Sequence, residues 1–423
     1  MAILLSIIIG IIALCGAPIF VILGGIALFA FYNAGIDISA VIIELYRMAS
    51  APTLAAIPFF TFAGYLLAES KAPGRFVKLY KSCLGWLPGG IIVVTIVVCA
   101  FFTAFTGASG VTIIALGGLV LPVMMNEKYS EKFSMGLVTC CGSVGLLFPP
   151  SLPIILYGLV AGISIDQLFL AGIIPGILLI VILSVYGVWR EGRRAEREPF
   201  VWQNVVTSFK DAAWELPIPL IMLVGIYGGY FTATEAAVVT VVYVLFVECF
   251  IKRDIKIFKD VPRIAQESMV MVGGILIILG VALGLTNYLV DAQVPMKLFE
   301  LTRQYITSKY VFLIVLNIFL LIVGCLMDIF SATIVVVPLI APVAKEFGVD
   351  PVHLGIIFLT NLEIGYMTPP VGLNLFISSF RFNKPITYLY RASWPFLVAM
   401  LVALMIITYW PALSLWLTTS LSP

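Results

Sequence analysis

Long apolar stretches follow one another along nearly the whole chain, with only brief polar connections between them. A helix that crosses the hydrocarbon core of a bilayer needs about 20 mostly apolar residues. Segments of that kind occupy roughly 2–32, 53–68, 86–105, 108–125, 168–189, 216–231, 234–251, 267–290, 310–327 and 393–418. Shorter ones lie at roughly 135–147, 152–163, 331–344, 353–366 and 371–380. Of the 423 residues, 62% are hydrophobic and 11% charged, where a soluble domain carries about 25% charged residues. A water-soluble fold could not cover this much apolar surface, so lipid is part of the solvent. Strands of a membrane barrel would alternate apolar and polar residues over about 10 positions, and runs such as 91–102 and 334–340 do not alternate. The expected fold class is an all-α polytopic membrane protein.

The remaining composition narrows the function by exclusion. A net charge of +2 offers no basic face for a nucleic-acid backbone. Cys15, Cys83, Cys99, Cys140, Cys141, Cys249 and Cys325 lie mostly in apolar stretches without metal-ligand spacing and read as packing residues. The single histidine, His353, follows Asp350-Pro351 near a helix start and reads as a bystander. With no His-Glu-x-x-His and no nucleophile paired with a base, an intramembrane enzyme is the remote alternative. Residues 1–14 lack a basic leading region and read as a retained helix, broken near Gly16 and Pro18, rather than a cleaved signal.

Basic residues gather in three connections: Lys71, Arg75, Lys78 and Lys81; Arg190, Arg193, Arg194 and Arg197; and Lys252, Arg253, Lys256, Lys259 and Arg263. The second and third flank one pair of apolar segments, so both lie on one side, which the positive-inside rule makes cytoplasmic. Residues 190–215 mix these charges with Phe200, Trp202, Phe209 and Trp214, the pattern of an amphipathic connector lying in the interface. It divides the chain into 1–189 and 216–423. Arg47 reads as an interfacial residue that snorkels or meets a partner subunit, and Thr232 through Glu235 reads as a helix start.

The two divisions resemble each other. Gly145-Leu-Leu-Phe-Pro149-Pro150 matches Gly365-Tyr-Met-Thr-Pro369-Pro370 at an offset of 220 (365 minus 145), and Thr112 through Pro122 parallels Thr333 through Pro342 at 221 and 220. Matched Gly/Pro-interrupted segments in two halves point to a transporter binding site. Proline lacks an N–H, so Pro149 and Pro369 are expected to free the carbonyls of Gly145 and Gly365 four residues earlier, and Pro150 and Pro370 those of Leu146 and Tyr366. Broken backbone at membrane depth is tolerated only inside protein or beside a water-filled cavity. A dehydrated Na+ would satisfy such carbonyls, which gives two candidate cation sites, one per half. Thr103, Thr106, Ser109 and Thr112 punctuate one apolar run, and Asp328, Ser331 and Thr333 its counterpart. Ionisable groups at such depth are functional candidates by default, which singles out Asp328 and Glu363, with Asn374 the polar candidate beyond the second Pro-Pro.

Several blocks resemble the large membrane subunit of tripartite ATP-independent periplasmic (TRAP) transporters. They are Ala56-Ile-Pro-Phe-Phe with Gly64, Gly145-x-x-x-Pro-Pro-Ser151-x-Pro153, Leu168-Phe-Leu-Ala-Gly172 through Gly176, Phe231-Thr-Ala-Thr-Glu235, and Glu363-Ile-Gly-Tyr-Met-Thr-Pro-Pro-Val-Gly372-x-Asn374-Leu-Phe376. The resemblance runs nearly end to end. It implies two inverted repeats, each with a re-entrant helical hairpin, forming a transport domain that moves like an elevator against a scaffold; the hairpins are expected at about 135–163 and 353–380. It implies a bacterial inner-membrane permease that imports a small organic anion with Na+ and no organic cofactor. Its implied partners are a small four-helix membrane subunit and a periplasmic substrate-binding protein, with no nucleic acid. About two Na+ ions are implied. Carried over by position, the first Na+ site falls on Thr103, Thr106, Gly145, Phe148 and Pro149, and the second on Gly324, Gly365, Thr368 and Val371. Substrate is expected near Ser151, Asp328 and Asn374, with Asp328 serving packing, cation attraction or gating. A stand-alone ion-coupled carrier, working without a binding protein, is the alternative.

Overall fold

A computed structural model describes residues 16–192 and 199–421. The stretch read as a retained N-terminal helix up to residue 14, together with Cys15, Arg193, Arg194 and Arg197, lies outside the described residues. Those described form helices and connections, with no strand among them.

The first division contains α1 (Ile19–Asn33), α2 (Ser39–Ala49), α3 (Ala56–Glu69), α4 (Ala72–Leu84), α5 (Gly90–Thr106), α6 (Ser109–Asn126), α7 (Glu131–Val144), α8 (Leu152–Ala161) and α9 (Ile165–Glu191). The connector is α10 (Trp202–Asp211), which buries none of its residues. The second division contains α11 (Pro217–Tyr227), α12 (Ala233–Phe246), α13 (Asp260–Asp291), α14 (Val294–Tyr305), α15 (Lys309–Leu326), α16 (Ile329–Glu346), α17 (Pro351–Gly365), α18 (Leu373–Phe382), α19 (Ile386–Tyr409) and α20 (Ala412–Leu421). Among the described residues seven helices are long and apolar enough to cross a membrane, or up to nine if each bent pair is one span. Their starts follow local chemistry. At α12 the Thr232 hydroxyl accepts from the Glu235 N–H at 3.3 Å while the Glu235 carboxylate accepts from the Thr232 N–H at 2.8 Å, a reciprocal cap. Asp328 Oδ1 accepts from the N–H groups of Phe330 and Ser331, both at 3.0 Å, and starts α16 in the same way.

Helices α1, α2, α3, α12 and α13 pack together as an outer body, and α5–α9 with α15–α20 form the inner one. The inner helices repeat. Starts at 90, 109, 131, 152 and 165 are matched by starts at 309, 329, 351, 373 and 386, offsets of 219, 220, 220, 221 and 221. Packing is reciprocal between the sets: α8 lies on α16 and α18 on α6, while α9 lies on α17 and α19 on α7. Exchange of this kind is what a two-fold relation produces. The start of α7 meets the end of α18 through Glu131 and Lys384 at 2.9 Å. At the opposite end, the Tyr157 hydroxyl of α8 donates to the Pro351 carbonyl at 3.2 Å. The pairs α7–α8 and α17–α18 therefore run side by side in opposite directions.

The chain reverses one element earlier than expected. Thr103 and Thr112, nine residues apart, bring their hydroxyls to 2.8 Å across Gly107-Ala108, whereas a continuing helix would separate them by about 13.5 Å. Residues 131–147 and 152–161 instead bend by 44° and continue onward. The segment 135–163 is thus a broken helix, and 353–380 likewise runs from the Tyr157 end to the Glu131 end. Proline interrupts a helix without dictating a reversal, and here the reversal is set by Gly107, whose φ of +64° ends α5 in the left-handed conformation that glycine adopts freely.

Two buried polar assemblies tie helices together. Arg75, expected among loop cations, is only 14% exposed and reaches Glu215 at 2.5 Å, Glu248 at 3.2 Å and Asp254 at 2.5 Å. It ties α4 to the start of α11 and the end of α12. His353 is also more than a bystander. Its ring nitrogens lie 3.2 Å from the Ser414 hydroxyl and 3.3 Å from the Thr408 carbonyl. From Thr408 the chain of bonds continues to Asn317 at 3.1 Å and Asn361 at 2.7 Å, linking α17 to α15, α19 and α20. Arg47 is exposed and pairs with Glu44 at 3.0 Å.

Candidate functional site: two broken helices at the centre of the bundle

The interruption after α7 begins with a short 3₁₀ turn, Gly145–Leu147, and the N–H of Phe148 donates to the Gly145 carbonyl at 3.0 Å. The interruption after α17 does the same, with the Thr368 N–H donating to the Gly365 carbonyl at 2.9 Å. Each Pro-Pro bond is cis. The sequence-based expectation that these two carbonyls are left free is corrected here. A residue three positions on still has its N–H when the fourth is proline, so an i+3 bond replaces the lost i+4 bond. One lone pair of each carbonyl remains for another partner. The Tyr366 carbonyl, also expected free, accepts from the Asn374 N–H at 3.1 Å.

Both glycines are required by close approach. A Cβ on Gly145 would meet the Ala100 carbonyl oxygen, Thr103 Cβ at 2.6 Å and Ala104 N at 2.7 Å. A Cβ on Gly365 would meet the Cα and carbonyl carbon of Gly324 at 2.6 Å and Cys325 N at 3.0 Å. Ala104 and Gly324 are themselves 220 residues apart, so each interruption is seated on the last turn of the helix that opens its own half. The carbonyls of a last turn lack intrahelical donors. Two of them find substitutes: Thr103 O accepts from Gly107 N at 2.8 Å, and Cys325 O accepts from Gly372 N at 3.2 Å.

The structure brings Thr103 and Gly145 into contact and joins both to the α5–α6 turn, where the Thr103 hydroxyl also bonds the Gly142 carbonyl at 2.9 Å and Thr106 lies 3.4 Å from Thr112. Phe148 and Pro149 stand on the far side of that turn, lining an apolar cavity of about 310 Å³ with Ala100, Ala104 and Phe105. In the second half Gly324 and Gly365 touch, Thr368 donates its hydroxyl to the Ile364 carbonyl at 3.0 Å, and Val371 stands 39% exposed at the mouth. Hydrogen bonds join two of the three expected substrate residues. Asn374 and Asp328 meet through Tyr366, whose hydroxyl accepts from the Ile329 N–H at 2.5 Å beside the Asp328 cap. Among the described residues no hydrogen bond joins Ser151 to either.

Polar atoms without partners collect around these interruptions. Ser151 Oγ, Asn374 Oδ1 and both carboxyl oxygens of Glu363 are buried and bond nothing in the protein. Asn374 donates to the Thr139 carbonyl at 3.3 Å, and Thr139 donates to Ser378 at 2.9 Å, so α18 is pinned to α7. Buried polar groups normally have partners, and atoms lacking them are candidates to bond a ligand or water. Sequence reasoning missed the Tyr366 hydroxyl, Thr139 and Ser378. Thr139 lies four residues before Ser143, which meets Glu363 at its carbonyl (3.4 Å), so the helical spacing of polar residues along α7 was the available signal. Among the described residues no group of three or more His, Cys, Asp or Glu could hold a metal ion, so a cation here would draw on backbone, hydroxyl or amide oxygens.

An all-helical, multi-pass membrane protein centred on two antiparallel broken helices is a transporter architecture. The sequence profile of the tripartite ATP-independent periplasmic transporter, DctM component, matches residues 4–413. The chain is 35% identical over 381 residues to the C4-dicarboxylate TRAP transporter large permease protein DctM of Pseudomonas aeruginosa, covering 90% of this chain and 89% of that one. It is 35% identical to the isethionate TRAP transporter permease protein DctMQ of Oleidesulfovibrio alaskensis, covering 94% of this chain and 63% of that longer protein. It is 30% identical to the ectoine/5-hydroxyectoine TRAP transporter large permease protein UehC of Ruegeria pomeroyi, covering 86% of each. The fold resembles the crystal structure of the Alcanivorax borkumensis YdaH transporter at a TM-score of 0.65, over 91% of this chain and 89% of that one, with 13% identity. The chain belongs to the DctM family and is a TRAP transporter large permease, a multi-pass inner-membrane protein and not an enzyme. A TRAP system brings with it a small membrane subunit and a periplasmic binding protein.

Proposed function

We propose that this permease imports a small organic anion with Na+, holding one cation at each interrupted helix and carrying substrate by displacement of the inner body against the outer. The C4-dicarboxylate and isethionate named for two of its relatives support an organic-acid cargo. The observation that carries this reading is the pair of glycines, Gly145 and Gly365, each seated against a helix end in equivalent places of two antiparallel halves. Inverted-repeat symmetry is supported by the opposed ends at Glu131–Lys384 and Tyr157–Pro351. A displaceable inner body is supported by a cleft of about 460 Å³ between α6 and the outer α3 and α13. Substrate would bond the partnerless Asn374 and Ser151 groups, and the small four-helix subunit would enlarge the outer body.

Energetics favour two cations. Each Na+ contributes about 1.4 kcal/mol per tenfold gradient and about 2.3 kcal/mol per 100 mV. Two supply about 7 kcal/mol under those conditions, against about 2 kcal/mol to move a monoanion inward. The difference supports concentration by roughly several thousand-fold. One Na+ leaves only about 1.4 kcal/mol.

The deciding measurement is thermal unfolding of the purified permease in NaCl against KCl at equal ionic strength. A ligand at ten times its Kd stabilises the folded state by about 1.4 kcal/mol, so a Na+-specific rise is expected. Equal melting across a wide salt range would defeat Na+ coupling. Uptake into vesicles that needs an added periplasmic binding protein separates the tripartite reading from a stand-alone carrier.

A further inference from the structure

We propose that the cleft between α7, α9 and α19 binds the phosphate headgroup of an anionic membrane lipid. Lys132 in the first turn of α7, Arg190 in the last turn of α9 and Arg391 near the start of α19 line this cleft with Ser130 and Tyr186. All three cations are exposed, and among the described residues none is paired with a carboxylate. Their acidic neighbour Glu131 is taken by Lys384 at 2.9 Å. One carboxylate, Glu191, faces the same cleft, buried and accepting from the Ser130 hydroxyl at 3.2 Å, so three cations stand against a single acid.

The cleft is small, about 120 Å³, which suits a headgroup oxyanion and not a whole lipid. What lies beside it favours a lipid over a soluble anion. The Tyr186 ring stacks edge-on against Phe396 at 5.2 Å and lies 6.5 Å from Trp189. Trp189 is 76% exposed and Trp394 59% exposed, on the two helices that supply the arginines. Exposed tryptophans mark the headgroup level of a bilayer, and they offer acyl chains an apolar rail beside the cations. The end of α9 leads into the basic connection that the positive-inside rule places in the cytoplasm, and basic pockets between helices on that side receive anionic headgroups. Lys132 stands at the start of α7, 13 residues before the Gly145 interruption (145 minus 132), and failure of this site would leave the transport reading untouched.

The test uses the full-length permease in a neutral detergent, unfolded thermally with phosphatidylglycerol, with phosphatidylcholine, or with inorganic phosphate and no lipid. Phosphatidylglycerol is expected to raise the midpoint by about 2 °C or more over phosphatidylcholine. The triple variant K132Q/R190Q/R391Q should lose most of that difference, while R190K/R391K should keep most of it. Where the triple variant does not fold, native mass spectrometry of Arg391→Gln should show at least one fewer retained phosphatidylglycerol. Equal shifts from both lipids, or a phosphatidylglycerol shift that survives in the variants, would overturn the site. An equal shift from millimolar inorganic phosphate would overturn the lipid assignment in favour of a soluble anion.

Discussion

The two interrupted helices share a plan but differ in what surrounds them. The first, from Gly145 to Ser151, is buried or nearly so along its length. Helix α9 closes over it: a Cβ on Gly172 would strike the Leu147 carbonyl, and one on Gly176 would meet the Phe148 ring at 2.6 Å. The second opens outward, with Pro369, Pro370 and Val371 exposed and only a hydroxyl, Tyr390 to the Pro370 carbonyl at 2.6 Å, laid across it. Leu146 in the first becomes Tyr366 in the second, and Ser143 becomes Glu363. One half is therefore largely covered by packing, apart from the apolar cavity at Phe148 and Pro149, and the other is more exposed. The same backbone device can be occluded or open according to the helix that covers it.

Four measurements would break or sharpen this contrast. The largest effect is expected at the glycines. Gly145→Ala should cost about 3 kcal/mol, since its neighbours are backbone and side-chain atoms locked in α5, and Gly365→Ala about 1 kcal/mol, because the exposed turn beyond it can shift. Equal losses in thermal unfolding would mean that the second site is as rigid as the first. Next, Tyr366→Phe should cost about 2 kcal/mol by leaving the Ile329 N–H buried without a partner, with no counterpart at Leu146; an unchanged melting point would show that the hydroxyl bond is replaced by water. Thr103→Val removes the hydroxyl that bonds Gly142 and Thr112, and about 1 kcal/mol of stability should go with it. The equivalent position already holds Val323, so the reverse change Val323→Thr should gain nothing measurable. The smallest effect on stability is expected from single cysteines at 148 and 371, with the seven native cysteines replaced. A membrane-impermeant maleimide should label position 371 at least ten times faster than 148, and similar rates would erase the difference in access.

The interruptions, the offset of 220 and the reciprocal cap at Thr232 and Glu235 were legible because each is local chemistry: proline without an N–H, glycine without a Cβ, a side chain reaching three residues along. The direction of the chain through the interruptions was not. Whether a helix broken at Pro149 turns back or continues depends on what packs beyond it, and Gly107-Ala108, the true reversal, carries no proline. The contacts among the candidate residues were not legible: Thr103 and Gly145 meet, while no hydrogen bond among the described residues joins Ser151 to Asp328 or Asn374. The network through His353, Thr408, Asn317 and Asn361 joins residues up to 91 positions apart, a separation that no local pattern records.

The reciprocal packing of the inner helices has a consequence for how the protein is made. Helix α8 rests on α16, and α7 on α19, so the first half leaves the ribosome with α5 and α9 to cover its interruption but without the partners of α7 and α8 from the second half. Its partners are about 220 residues away, a delay of roughly 10–45 s at ordinary rates of synthesis. During that interval the faces of α7 and α8 that later meet α19 and α16 have only lipid, the insertion machinery or a chaperone as company. Truncated chains ending before α15 are thus expected to be degraded in the cell rather than to accumulate as a stable half-transporter, and coexpression of residues 216–423 as a second chain should rescue them.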